Sequence, residues 1–285
     1  MEYSSIRLDE SKYIEVVENY YVLKEEWAKK LPEERHLELC ECIARRRKVL
    51  IFTGQSACAI YGIPRLDPYE MRPHCITYKG KHADIICWRE RSLDPKAKVV
   101  NGFLVASPIR VICDLAKNDS MHSLLASINH CLNKKLFSKE ELLAEIDKAP
   151  RIMGKNKIKK VLKVASDKCE STLESLAWIT INNEGFLLPE QQIKIYDKKK
   201  FIGRVDMCWK IKGRTIILEL DGMIKYEDRD AFRLEKIREG KLYDCGHHVV
   251  RATWDDVISG VLLKRLEKEG IPKRRNFKHH ILKLK

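Results

Sequence analysis

Two carboxylates follow directly after a short apolar stretch in the second half of this chain. Residues 214–222 read RTIILELDG, so the aliphatic run leads into Glu219, Asp221 and then a glycine. Side chains alternate between the two faces of a strand, which predicts that Glu219 and Asp221 lie side by side on one face. Carboxylates at the end of a buried strand are costly unless a partner compensates their lost hydration. The alternative for Asp221 and Gly222 is an ordinary turn that ends the strand.

Further acidic residues are expected near the same place. The short KIKG connection before residue 214 predicts an antiparallel hairpin, so Asp206 on the preceding strand is expected close to Glu219 and Asp221. Glu170 and Glu174 lie four residues apart, which predicts that they share one face of a helix. If that helix packs on the sheet, one of the two glutamates meets the same carboxylates.

Three or four carboxylates at one point predict a bound cation, because their mutual repulsion needs compensation. Mg²⁺ fits best, with Mn²⁺ as its substitute, since hard divalent cations prefer oxygen ligands. Lys225, four residues after Asp221, is expected to add positive charge. A metal-bound water beside positive charge supplies a nucleophile and neutralises a phosphate, as phosphodiester hydrolysis requires. The alternatives are a pairing of Asp206 with Arg204 or Arg214, and solvated positions for the two glutamates.

The segments from residue 166 onward predict the elements that position these side chains. A helix is expected over 166–185, capped by Ser166 or Asp167 and ended by Gly185. It is followed by strands over 191–197, 199–210 and 214–222, a helix over 229–246, a strand over 247–254 and a last helix that begins at Asp255 or Asp256. This order predicts an α/β domain.

The first half of the chain predicts two helices over 9–30 and 33–48, on either side of Pro32. A strand and a short helix from Ser56 to Gly62 come next. They are followed by two short strands around a Lys-Gly turn at 79–80, two strands around Asn101-Gly102, and a helix opened by Ser107-Pro108. Two more helices are expected over 119–148, with Ser138 as the N-cap of the second. The basic stretch 150–165 predicts a domain boundary, or else an ordinary helix with a solvated lysine face.

The composition favours a polyanionic partner. The 285 residues carry a formal net charge of +14, and Lys and Arg contacts to phosphates dominate nucleic-acid affinity. The ten cysteines form no CxxC pair and stand mostly in apolar runs, which is typical of a reducing compartment. The polar start shows no signal-peptide pattern and no apolar run is long enough for a membrane span, so a cytoplasmic protein is expected.

Residues 166–260 resemble the Vsr-like branch of the PD-(D/E)XK nuclease superfamily. The similar segments are ESTLES, LPEQQIKI, GRVDMCW, IILELDGMIKY and EKIREGKLYDCGHHVVRATWDDV. The resemblance implies a restriction-endonuclease-like core, in which helices flank a mixed central sheet, and Mg²⁺-dependent cleavage of DNA.

By their place in these motifs, four residues match the acids and the polar residue of the family. Asp206 matches the acid of the second core strand, Glu219 the acid of the third, Glu174 (or Glu170) the helix glutamate, and Gln192 the polar residue before the second strand. The sequence departs from the superfamily signature where a lysine is expected two residues after the second acid. Asp221 stands there instead, and Lys225 is the candidate for the basic residue. Cys245, His247 and His248 give no clear counterpart to the zinc site of the repair endonuclease.

The first half of the chain resembles AbiEi-type antitoxins in the segments TGQSACAIYGIP and VASPIRVICDLA. The resemblance implies a DNA-binding domain before a second α/β domain, and transcriptional repression within a toxin–antitoxin pair. The predicted layout is therefore a helical segment (1–48), an AbiEi-like α+β domain (49–150), a nuclease-like domain (160–270) and a basic tail (271–285).

Two functions follow from these observations. The first is a Mg²⁺-dependent DNA endonuclease, a hydrolase of defence or repair, in which Asp206, Glu219, Asp221 and Glu174 bind metal. Gln192 and Lys225 complete the expected catalytic set. The second is a non-catalytic DNA-binding regulator or antitoxin that retains a nuclease-like fold, which the displaced lysine favours. RNA processing is a third alternative, although the sequence has no aromatic platform for RNA bases.

Overall fold

The computed structural model describes residues 9, 11–47, 50–77, 84–88, 96–149, 152–222 and 229–274. The chain divides into two compact units, Met1–Leu162 and Lys163–Lys285, which we call the N-terminal and the C-terminal unit. Lys225 and residues 275–285 of the predicted basic tail lie outside the described residues. No helix in the described ranges combines the length and the apolar composition of a membrane-spanning segment.

The N-terminal unit begins with a β-hairpin, so the helix predicted over 9–30 is wrong for most of its length. Strands β1 (Tyr13–Val17) and β2 (Tyr20–Leu23) pair antiparallel. Aromatic and β-branched residues dominate both strands, and Asn19 turns the chain with a φ of 59°. Two helices follow, α1 (Lys24–Lys29) and α2 (Pro32–Arg46).

A five-stranded mixed sheet of order β5-β4-β3-β7-β6 forms the centre of this unit. Its strands are β3 (Ile51–Phe52), β4 (His74–Ile76), β5 (Ile86–Trp88), β6 (Lys98–Val100) and β7 (Phe103–Val105), and helix α3 (Gly54–Tyr61) lies between β3 and β4 in the chain. The hairpin predicted at Asn101-Gly102 is confirmed by the antiparallel β6–β7 pair. Strands β4 and β5 pair in parallel, so a tight turn cannot join them directly, and the predicted Lys-Gly turn lies outside the described residues.

Four helices complete the unit: α4 (Pro108–Asn118), α5 (Met121–Asn133), α6 (Lys139–Lys148) and α7 (Lys155–Leu162). The predicted caps are confirmed, because Ser107 Oγ accepts the Arg110 amide and Ser138 forms a capping box with Glu141. Helix α7 occupies half of the basic stretch 150–165, and the two compact units divide at its last residue.

The C-terminal unit is built on a four-stranded mixed sheet of order β11-β10-β9-β8. In the sequence, helices come before, between and after the strands of this sheet. Strands β8 (Glu190–Asp197), β9 (Lys200–Ile211) and β10 (Arg214–Leu220) form an antiparallel meander. Strand β11 (His248–Ala252) joins β10 in parallel. The predicted mixed sheet is thus confirmed. The helices are α8 (Thr172–Asn183), α9 (Arg229–Asp244), α10 (Trp254–Ile258) and α11 (Val261–Lys268).

Both faces of the central strands in this sheet are covered. Trp209, Ile216, Ile217 and Leu218 are all nearly or fully buried, and Leu242 of α9 packs into a cluster with Ile217. A strand buried on two faces carries a continuous aliphatic run instead of alternating polar residues. This explains the sequence RTIILEL and leaves Glu219 as a buried carboxylate at its end.

Candidate functional site

Asp206 and Glu219 lie close together where β10 ends. Leu218 pairs with Met207 across β9 and β10, so Asp206 and Glu219 are the next residues of their adjacent strands. The Leu220 amide then donates to Asp206 Oδ2 at 2.9 Å, which fixes the Asp206 side chain beside the end of β10. The hairpin predicted from the KIKG connection therefore brings Asp206 to Glu219, as the sequence indicated.

Glu174 is buried in the first turn of α8. Ser171, the residue before the helix, accepts the Glu174 amide at 3.0 Å, so α8 begins at Thr172 and not near Ser166 as predicted. The backbone amide of Glu170 and the side-chain amide of Gln192 both donate to Glu174 Oε2, at 3.0 and 2.9 Å. The other oxygen, Oε1, accepts no hydrogen bond from an amide of the described residues, and the nearby Ser171 hydroxyl acts to lower the pKa of this carboxyl.

Gln192 adopts an unusual backbone conformation within β8. Its φ is +57°, in the left-handed region that a glutamine rarely occupies. Its neighbours Gln191 and Ile193 pair with Met207 and Val205, so Gln192 lies at the register position opposite Asp206. Strain of this kind persists where surrounding contacts hold it, and here the Gln192 amide is bound to Glu174.

The pKa values of two carboxyls are raised at this site. Burial is the largest cause for Glu174, and the negative charge of Asp206 raises its pKa further. Burial also raises the pKa of Asp206, against the opposing effects of the Leu220 amide and of Arg238. Asp206 Oδ1 accepts no hydrogen bond from the described residues. Glu174 is thus buried and Asp206 half-buried, and the two carboxylates repel each other, each with one oxygen available.

Two arginines that the sequence reasoning missed pair with the remaining acids. Arg238 of α9 donates to Glu219 Oε1 at 3.1 Å. Arg251 of β11 donates to both oxygens of Asp221, at 3.0 and 3.1 Å. Only a weak signal for these arginines was available in the sequence. The segment HHVVRATW is recognisable as a strand, but its pairing with β10, in which Arg251 is the register partner of Glu219, is not. Glu219 and Asp221 are therefore compensated by protein cations.

The expectation that Glu170 and Glu174 share a helical face is wrong. Glu170 precedes α8, and its exposed carboxylate forms a bidentate pair with Arg204, with both N–O distances at 2.7 Å. Arg214 instead bonds Glu269 at 3.1 Å. Neither arginine hydrogen-bonds Asp206, so the alternative pairings of this acid are also wrong within the described residues.

The available donors suit a hard cation better than zinc. Mg²⁺ is bound in proteins through one or two carboxylates and keeps several waters, so Glu174 Oε1 and Asp206 Oδ1 match its needs. Among the described residues, no three His, Cys, Asp or Glu side chains are grouped as a metal-binding set. Cys245, His247 and His248 therefore do not form such a set either, and His248 instead contacts Glu269 at 3.3 Å.

Comparison of the chain with protein-family models, with curated proteins and with solved structures finds no match. The resemblances in its motifs remain expectations. The geometry around Glu174 and Asp206 is therefore the main indication of function.

Proposed function

We propose that the C-terminal unit is a restriction-endonuclease-like core that hydrolyses DNA phosphodiester bonds with Mg²⁺ or Mn²⁺. The observation that carries this proposal is the pair of the buried Glu174 and the half-buried Asp206, in which two mutually repelling carboxylates each keep an oxygen available. A protein retains such a destabilising arrangement where a cation or substrate compensates it.

Each side chain at the site has a role that follows from its contacts. Glu174 and Asp206 would hold the cation, which supplies a polarised phosphate oxygen and an acidified water when bound. Gln192 orients the Glu174 carboxylate through its amide. Arg238 fixes Glu219, and its positive charge would stabilise the negative charge that develops on a bound phosphate. Lys225, expected from the resemblance to add charge, lies outside the described residues.

DNA is the proposed substrate because of the charge of the chain. A formal net charge of +14 favours a polyanion, and contacts of Lys and Arg to phosphates require no particular base sequence. The expected consequence is that DNA affinity falls steeply as salt concentration rises.

A second candidate is a regulator that binds DNA and does not cleave it. It is favoured by the Arg238–Glu219 and Arg251–Asp221 pairs, because these arginines already neutralise two of the four expected metal ligands. In this case the polar residues at the end of β10 serve the fold, and the protein acts as a repressor or antitoxin.

A plasmid-nicking assay with Mg²⁺ and Mn²⁺ separates the two. We expect wild type to nick, Asp206→Asn and Glu174→Gln to lose nicking, and Asp197→Asn to behave as wild type. Asp197 is a matched control because it is an exposed carboxylate at the end of β8. Intact plasmid with either metal across a range of salt, together with metal-independent binding of the protein's own promoter, would establish the regulator instead.

A further inference from the structure

The tip of the β8–β9 hairpin exposes two large aromatic side chains. Tyr196 is 51% exposed and Phe201 is 53% exposed. The two residues are register partners, and their ring centroids lie 5.5 Å apart in an edge-to-face arrangement. They stand five positions apart in the sequence, and only the hairpin makes them neighbours. We call these two residues the aromatic pair.

Two exposed rings in contact differ from the single apolar residues that occur on every protein surface. A single exposed apolar residue needs no explanation, whereas adjoining large ones are the more informative observation. Aromatic rings contribute strongly to binding when a partner covers them, because each offers a large and rigid apolar area. The aromatic pair therefore favours a partner with flat apolar faces.

The charges beside the aromatic pair favour a polyanion. Residues 196–201 read YDKKKF, so three lysines stand in the connection between the two rings. Lys194 lies two positions before Tyr196 on β8, which puts both side chains on one face of the strand. All four lysines are exposed, and none forms an ion pair with an acid in the part of the chain that the structure describes.

The only acid in the sequence of residues 194–201 lies on the opposite face of the hairpin. This acid is Asp197, which follows Tyr196 directly and has Lys200 as its register partner. Burial raises the pKa of Cys245, just after α9, and the negative charge of Asp197 raises it further. Asp197 thus lies towards the end of α9 and does not weaken the positive charge on the face of the aromatic pair.

The face with the aromatic pair leads to the candidate metal site. Lys194 is the register partner of Arg204, and register partners point to the same face of a sheet. Arg204 forms the bidentate pair with Glu170, whose backbone amide donates to Glu174 Oε2 at 3.0 Å. Exposed cations therefore connect the hairpin tip with the carboxylates of the proposed nuclease.

We propose that the aromatic pair stacks on unpaired bases of a DNA strand whose phosphates contact the neighbouring lysines. Every base has a flat π-face, so stacking on aromatic side chains requires no particular sequence, and a positive surface beside the rings holds the backbone. In a fully paired duplex the bases stack on one another, so the rings reach them only in a single-stranded or unwound segment.

This inference rests on the proposed function and specifies its substrate. Phe201 stands five residues before Asp206 on β9, a separation of about 16 Å at about 3.3 Å per residue. The preferred substrate is therefore DNA in which unpaired bases lie a few nucleotides from the cleaved phosphate.

The test is DNA binding by the full-length protein in EDTA, which removes divalent cations so that no DNA is cleaved. Fluorescence anisotropy follows a labelled oligothymidine and a fully paired duplex of the same length. Phe201→Ala should weaken binding of the oligothymidine about fivefold to hundredfold, the usual effect of one lost base–aromatic stack. It should leave the affinity for the duplex nearly unchanged.

Tyr21→Ala is the matched control, because Tyr21 is a 42% exposed aromatic residue of the other hairpin, β1–β2. It should leave both affinities unchanged. Lys194→Gln tests the phosphate contact separately, since it should reduce the slope of log affinity against log salt by about 0.7, whereas Phe201→Ala should not change this slope. Circular dichroism checks that each variant is folded, as expected for substitutions at exposed positions.

The proposal is overturned if wild type does not bind the oligothymidine, or if Phe201→Ala and Tyr21→Ala bind it equally well. It is also overturned if Phe201→Ala weakens binding of oligothymidine and duplex by the same factor, because stacking on unpaired bases is then not involved. A wild-type dimer that Phe201→Ala converts to a monomer in sedimentation would assign the rings to self-association instead.

The outcome for the aromatic pair is distinguishable from that for the nuclease. Absent plasmid nicking together with the expected effect of Phe201→Ala on oligothymidine binding refutes cleavage and retains the aromatic pair as a DNA contact. Normal nicking by wild type without any effect of Phe201→Ala on this binding refutes the aromatic pair alone.

Discussion

Replacing Asp206 by Asn should stabilise the protein at neutral pH and abolish metal-dependent nicking. The Asn side chain has nearly the same shape, and its oxygen can still accept the Leu220 amide hydrogen bond, which is 2.9 Å long for Asp206. The substitution removes only the charge, which burial disfavours and which repels Glu174. A gain in stability with a loss of activity is the signature expected of a residue retained for function.

The effect should depend on pH with a defined sign. Because the pKa of Asp206 in the folded protein is raised above its ordinary value of 3.8, the folded state holds this proton more tightly than the unfolded state. Wild type therefore loses stability as pH rises through the range above 3.8, and Asp206→Asn does not lose this contribution. We expect no advantage of the variant below that pH and about 0.5–2 kcal/mol at neutral pH.

Urea denaturation followed by circular dichroism, from acidic to neutral pH, measures this difference. The gain corresponds to an increase in melting temperature of about 2–4 °C for each kcal/mol. Asp197→Asn, which changes an exposed carboxylate, serves as the control and should be about as stable as wild type at neutral pH. If Asp206→Asn is instead less stable than wild type at neutral pH, the Asp206 charge supports the fold, and the reasoning from carboxylate repulsion is refuted.

Two further predictions concern the N-terminal unit and the cysteines. Gly154→Ala should destabilise more than Gly102→Ala: both glycines have positive φ, which costs Ala about 1–2 kcal/mol, but only at Gly154 would the new Cβ lie 2.6 Å from the Ala116 carbonyl oxygen. Thermal melts of the two variants compare these costs, and equal losses would show that the backbone relaxes. Thiol labelling of the native protein should modify Cys87 and Cys245 first, because the other eight cysteines are buried, and mass spectrometry of the labelled peptides tests this order.

Local signals in the sequence predicted several elements correctly. Asn101-Gly102 marked a hairpin, Ser138 marked a helix start, and the KIKG connection marked the β9–β10 pair. In each case the residues that determine the conformation lie within a few positions of one another. The β1–β2 hairpin was missed because charged residues stand before, between and after its short apolar runs, a pattern that a helix can also show, and only Asn19 marked the turn.

Local signals of this kind do not predict contacts between segments that are far apart in the chain. The parallel pairing of β4 with β5 depends on how the chain returns to the sheet, which no short motif records. The same holds for the buried polar network of the N-terminal unit, in which the Gln55 side chain contacts His74, Arg65 and the Glu70 amide.

The sequence alone determined which carboxylates stand at the end of β10, because strand alternation and a short hairpin are local properties. The tertiary structure decided how each charge is compensated. Arg238 and Arg251 come from α9 and β11 to neutralise Glu219 and Asp221, while the buried Glu174 and the half-buried Asp206 are left with raised pKa values. The physical reason is that the electrostatic energy of a buried charge depends on every group packed around it, and packing joins residues that are far apart in the chain.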